Sequence, residues 1–195
     1  NGSLWILTKG VLNKVNVQTR EFINYATSVA LPNIADLVFI NGALYGGTGN
    51  IIYRIDLSNT AAGTVLPVTA TTVDNLPSNG FGAAYTDASD NLFLSANQGA
   101  IYQILDYDTA TPSSAKVVDT IATNTNDGMS CPSAPSPFSF DYSDAPAETY
   151  GVAGHNYVPG IQLGAANDID SVSIASASTD ASGDGLEDDG VTIPT

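Results

Sequence analysis

The chain has 195 residues, 43% of them apolar, and carries 20 acids against five Lys and Arg, a formal net charge of −15. That is enough apolar material for a packed core. The charge excludes a nucleic-acid binder, which needs bases against phosphate, and disfavours an anionic membrane surface; no run of about 18 apolar residues spans a bilayer.

The first predicted elements form a repeat. "GSLWILTKGVLNKVNV" (2–17), "GALYGGTGNIIYRIDL" (42–57) and "DNLFLSANQGAIYQILD" (90–106) each open on a turn residue followed by Leu and an aromatic: Leu4-Trp5, Leu44-Tyr45, Leu92-Phe93. A polar or Gly-containing turn follows, then an alternating strand ending at Val15, Ile55 or Ile104. The aromatic-to-aliphatic spacing is 10, 10 and 11 residues, so the third copy needs one extra turn residue. The Gly-rich "GALYGGTGN" (42–50) lacks the Lys of a phosphate-binding loop and has no helix pattern after it, and reads as a hairpin turn.

Between the copies lie "EFINYAT", "ADLVFI", "GTVLPVTA", "GFGAAYT" and "AKVVDTIAT", short β-like runs bounded by Gly, Pro, Asn or Asp. Each repeat (near 2–30, 36–70 and 81–123) thus reads as about four strands, the content of one β-propeller blade. "LYGGTGNIIYRIDLSN" resembles the blades of bacterial surface propellers. Residues 1–130 supply about three blades where a closed propeller needs roughly four to eight, and the first copy lacks its leading strand. The expectation is an all-β, incomplete propeller-like array whose open edges are covered by something else.

Next comes "CPSAPSPF" (131–138), where Pro132, Pro135 and Pro137 alternate with small residues as in an extended connector. Cys131 is the one cysteine, so it is a lone thiol or a bond to another chain. With neither an initiator Met nor a leader pattern, the chain reads as processed or cut from something longer. "NGS" at Asn1 is the one glycosylation sequon.

Beyond the connector the composition changes. Residues 138–195 hold ten acids and no base, whereas 1–137 hold ten acids and all five bases. The acids fall in groups: Asp141 and Asp144 flank a turn, Asp168 and Asp170 alternate on an extended segment, and Asp180, Asp184, Glu187, Asp188 and Asp189 fill the loop "DASGDGLEDDGV". Gly183, Gly185 and Gly190 give that loop freedom to curl its oxygens inward, which suits the six to eight oxygen ligands of Ca²⁺. The EF-hand order is missing. The competing reading is a solvated acidic stretch.

"DYSDAP", "VPGIQLG" and "GDGLEDDGV" come in the order found in the GEVED domain, and residues 139–195 resemble that module of bacterial secreted and cell-surface proteins. The resemblance also implies a histidine near "YVPG", here His155, whose expected role is in the core of the module rather than on zinc. The preceding blades are similar to a propeller-like domain of unknown function that accompanies such modules.

One His and three Glu leave little for a His-based metal site or a triad, and no G-x-S-x-G elbow is present. The sequence therefore points to a non-enzymatic, extracellular, calcium-stabilised surface protein. Its partners are glycans, other surface proteins or copies of itself, and its role is adhesive or that of a self-assembling filament subunit with strand exchange.

Overall fold

A computed structural model describes residues 2–124, 126–129, 131–134 and 136, together with the strands at 140–142 and 154–156. The chain divides into two compact units, Asn1–Ala134 and Pro135–Thr195. The fold is all-β: no helix is present among the described residues, and the first unit holds twelve strands in three four-stranded sheets, none closed into a barrel.

The first sheet contains β1 (Ser3–Thr8), β2 (Val11–Asn16) and β3 (Phe22–Thr27) in antiparallel sequence. The second contains β4 (Val38–Ile40), β5 (Ala43–Thr48), β6 (Ile51–Asp56) and β8 (Val68–Thr72). The third contains β9 (Phe81–Thr86), β10 (Leu92–Ala96), β11 (Ala100–Leu105) and β12 (Ser113–Asp119). The three matching hairpins are β1–β2, β5–β6 and β10–β11, and in them Leu4 faces Val15, Leu44 faces Ile55 and Leu92 faces Ile104. The extra residue of the third copy sits in the turn, which spans Asn97–Gly99 instead of two residues.

Two features of this array differ from the sequence reading. First, the run "GTVLPVTA" is split at Pro67, which has no N–H to continue a ladder. β7 (Val65–Leu66) pairs in parallel with β3, whereas β8 pairs antiparallel with β6, so the fourth strand of the first sheet comes from the second repeat. Second, of the glycine-rich stretch only Gly42 and Gly49 lie in turns, between β4 and β5 and between β5 and β6; Gly46 and Gly47 are inside β5. They are glycines because neighbours crowd both faces. A Cβ on Gly46 would stand 2.7 Å from the Asp36 carbonyl oxygen, and one on Gly47 would stand 2.5 Å from Leu94 Cδ1.

The sheets stack through two apolar cores. Leu12 and Tyr25 of the first sheet meet Leu44 and Ile55 of the second around Leu66, with Trp5 and Leu7 packed at the margin. The opposite face of the second sheet, with Ala43, Tyr45 and Ile52, meets Leu92, Leu94 and Ile104 of the third. Each hairpin therefore turns its Leu–aliphatic pair toward the preceding sheet. In the second and third sheets that leaves Leu44 and Leu92 only 3% and 0% exposed; in the first, Leu4 is 53% exposed. On the far side of the third sheet, the segment after β12 folds back. The Asn126 amide donates to the Ser95 carbonyl and hydroxyl at 3.3 and 3.1 Å, and Thr123 N–H donates to the Asn97 carbonyl. Phe93 and Ser95 are buried there.

In the second unit, β13 (Phe140–Tyr142) and β14 (Gly154–Asn156) form an antiparallel pair with Asp141 directly opposite His155.

Candidate functional site

The carboxylates of the repeat array act first as local scaffolding. Asp87, buried at the end of β9, accepts hydrogen bonds from the backbone N–H of Ser89 and Asn91 at 2.9 and 3.1 Å and from the Asn91 amide at 2.9 Å. Asn91 in turn accepts from Gln103, tying the β9–β10 turn to β11. Asp56 closes a turn by accepting from Ser58 N–H at 2.8 Å and pairs with Arg54 at 3.2 Å. The Ser58 hydrogen bonds, with Arg54 adding less, hold its carboxyl below the ordinary range.

Where the leading strands β4 and β9 lie side by side, a groove of about 850 Å³ opens, lined among others by Asp36, Phe39, Asp90, Asp127 and Met129. Asp36 accepts from its neighbour Leu37 N–H at 2.8 Å and from Ala84 N–H on β9 at 3.0 Å, so it fastens the second sheet to the third. Burial raises its pKa above 3.8; the two N–H donors offset part of that, and the Asp127 carboxylate adds to it. Asp90, at φ 59°, accepts from the Asn41 amide at 2.9 Å. Phe39 and Met129 are exposed at the groove. The result is an acidic, partly apolar groove, suited to a cationic or neutral polar partner.

Around the corner, a cleft of about 320 Å³ is lined by Tyr45, Arg54, Thr69, Thr71 and Tyr107. The two tyrosine rings meet edge to face at 4.9 Å, and Arg54 Nε donates to the Tyr45 hydroxyl. Burial, then the neighbouring Tyr45 and Asp90, push the Tyr107 phenol up to about 12.

The raised Asp36 pKa has a signed consequence. The folded chain holds this proton to higher pH than the unfolded chain, so the stabilisation is full below 3.8 and is lost as pH rises through the folded value. Asp36→Asn removes that titration. The stability difference between parent and Asp36→Asn, measured by urea unfolding from acid to neutral pH, is therefore expected to move against the parent as pH rises; a difference independent of pH would contradict the assignment.

Of the candidate cation ligands, Asp144, Asp168, Asp170, Asp180, Asp184, Glu187, Asp188 and Asp189 lie outside the described residues, as does Asn1 of the sequon. Asp141 is placed on β13, where its backbone pairs with that of His155. Among the described residues no three His, Cys, Asp or Glu side chains gather as a metal site. Cys131 is exposed, 3.2 Å from the Ser133 hydroxyl, and that contact lowers its thiol pKa. Sequence reasoning missed Asp36 and Asp87: each is a single acid beside a turn, and nothing local distinguishes it from Asp106 or Asp108.

A family model described as a repeat of unknown function (DUF6923) matches residues 4–133, which takes in all three sheets and the returning segment. No curated protein and no solved structure matches the chain.

Proposed function

We propose, from the premise that this chain belongs to the DUF6923 repeat family, that it is a non-enzymatic structural or adhesive protein of the bacterial cell exterior, stabilised by Ca²⁺ in its acidic C-terminal segment. The observation that carries the non-enzymatic part is the use of the repeat array's acids. Asp36, Asp56 and Asp87 are engaged with backbone N–H groups that hold turns and sheets in place, the work of a scaffold. Presentation of loops and grooves on a stacked β scaffold suits recognition of glycans or proteins at a surface.

The calcium part is supported by the sequence: the order of "DYSDAP", "VPGIQLG" and "GDGLEDDGV" resembles the GEVED module, and ten acids fall in 58 base-free residues. Carboxylates so concentrated repel one another, and a hard cation with six to eight oxygen ligands relieves that repulsion. Isothermal titration of the purified chain with CaCl₂, with MgCl₂ as control, tests it. The expected result is saturable Ca²⁺ binding that a triple variant, Asp184→Asn with Asp188→Asn and Asp189→Asn, weakens by about a hundredfold or more, a first loss of about 2.7 kcal/mol. At a hundred times the dissociation constant, Ca²⁺ then raises the stability of the unit it binds by about 2.7 kcal/mol. Equal, non-saturating heats from the two ions would leave a solvated acidic tail and overturn the reading.

A further inference from the structure

We propose that the cleft between the second and third sheets binds a neutral saccharide, with Tyr45, Arg54, Thr69 and Thr71 meeting its hydroxyl groups. Saccharide binding here rests on the surface-recognition role proposed above, but not on its calcium. On the face of the second sheet that meets the third, Tyr45 of β5, Arg54 of β6 and Thr69 of β8 stand side by side across the strands. Ile52 and Thr71 stand together in the next row. Tyr45 is buried, Arg54 half-buried and Thr69 exposed, so the cover given by the third sheet fades from β5 to β8. The space left is the cleft of about 320 Å³, whose other wall is Tyr107–Thr109, after β11. That volume falls within the roughly 300–1,000 Å³ of small-molecule clefts. Both walls belong to the first unit.

The polar groups of the cleft are held in place and only partly used. Arg54 Nε donates to the Tyr45 hydroxyl at 3.1 Å and Nη1 to Asp56 at 3.2 Å, which leaves Nη2 to donate elsewhere. The Tyr45 hydroxyl accepts from Arg54, and its own proton has no acceptor among the described residues. The Thr69 and Thr71 hydroxyls have no partner among the described residues either, and each can donate and accept. A sugar hydroxyl has the same double capacity. Ile52, 2% exposed, and the half-buried Tyr107 supply apolar surface for the C–H side of a sugar ring. Charge argues for a neutral ligand. Arg54 is paired with Asp56, and the other charged residue lining the cleft is Asp108, so an anion meets no uncompensated positive charge. A cation meets Arg54.

Comparison of the repeats separates packing from binding. The row equivalent to Tyr45, Arg54 and Thr69 is Phe93, Gln103 and Ala115 in the third sheet, and Trp5, Lys14 and Ile23 in the first. An aromatic side chain at the first place serves all three sheets. The hydroxyls at the first and third places belong to the second sheet alone.

The test is NMR of the isotope-labelled chain in EDTA, with cellotetraose, maltotetraose, mannotetraose and chitotetraose added in turn and tetragalacturonate as the anionic control. One or more of the neutral saccharides is expected to shift the Thr69 and Thr71 amides and the Arg54 Nε–H saturably. Tyr45→Phe with Thr69→Ala, both residues that the third sheet uses at these places, is expected to weaken that binding about tenfold or more. Asp127→Asn, in the acidic groove, is expected to leave it unchanged. No shift with any neutral saccharide, tighter binding of tetragalacturonate, or binding that survives the double variant would overturn the proposal. Each of these results leaves the calcium titration to be decided by itself. A bound saccharide recovered intact agrees with a non-enzymatic role, whereas its cleavage would overturn that role and keep the cleft.

Discussion

Leu94→Ala is expected to cost about 3 kcal/mol, and Gly47→Ala about 2 kcal/mol, yet the two together less than their sum by about 1 kcal/mol. Leu94 is fully buried between the second and third sheets, and its truncation leaves a cavity that flanking β-ladders cannot close. Gly47 sits directly across that interface, where a Cβ would stand 2.5 Å from Leu94 Cδ1. A methyl there overpacks the parent but finds room once Leu94 is shortened. Urea unfolding of the parent, both single variants and the double variant measures the cycle, followed by far-ultraviolet circular dichroism. Strict additivity would mean that the sheets do not approach through this pair.

Asp87→Ala is the second large effect, a loss of about 3 kcal/mol. Removing the buried carboxylate leaves the N–H groups of Ser89 and Asn91 and the Asn91 amide without their acceptor, and frees the half-buried Asn91 from its hold on Gln103. Asp87→Asn keeps one acceptor oxygen and places an amide against donors, so its loss is expected to fall between parent and Ala. Hydrogen exchange of the Ser89 and Asn91 amides gives the local readout: both gain exchange rate in Asp87→Ala. Unchanged protection would show that the turn is held by packing alone.

The hairpins of the array were legible because their signal is local. A Leu-aromatic pair after a turn residue opens each first strand, and the 10, 10 and 11 spacing fixes how many residues each turn must hold. Strand partnership is not local, so nothing in "GTVLPVTA" says that Val65–Leu66 and Val68–Thr72 join different sheets. Gly46 and Gly47 were read as turn because glycine's conformational freedom and its lack of bulk give the same letter in a sequence; here the missing Cβ is what counts. The returning segment 121–134 has no periodicity, and the bonds of Asn126 to Ser95, 31 residues earlier, were invisible for that reason. Of the candidate site, the clustered acids of residues 138–195 stood out through composition, whereas Asp36 acquires its role only when Ala84 is brought to it.

The detour at Pro67 bears on the order in which the array is expected to fold. β3 ends at Thr27 and its parallel partner begins at Val65, with β4, β5 and β6 lying between them in the chain. Pairing of β4, β5 and β6 within the second sheet shortens that loop before β7 reaches β3. The second sheet is thus expected to form first and Leu66, buried with Leu12 and Tyr25, to recruit the first sheet afterwards, an order that φ-values higher at Ile52 than at Leu66 would show.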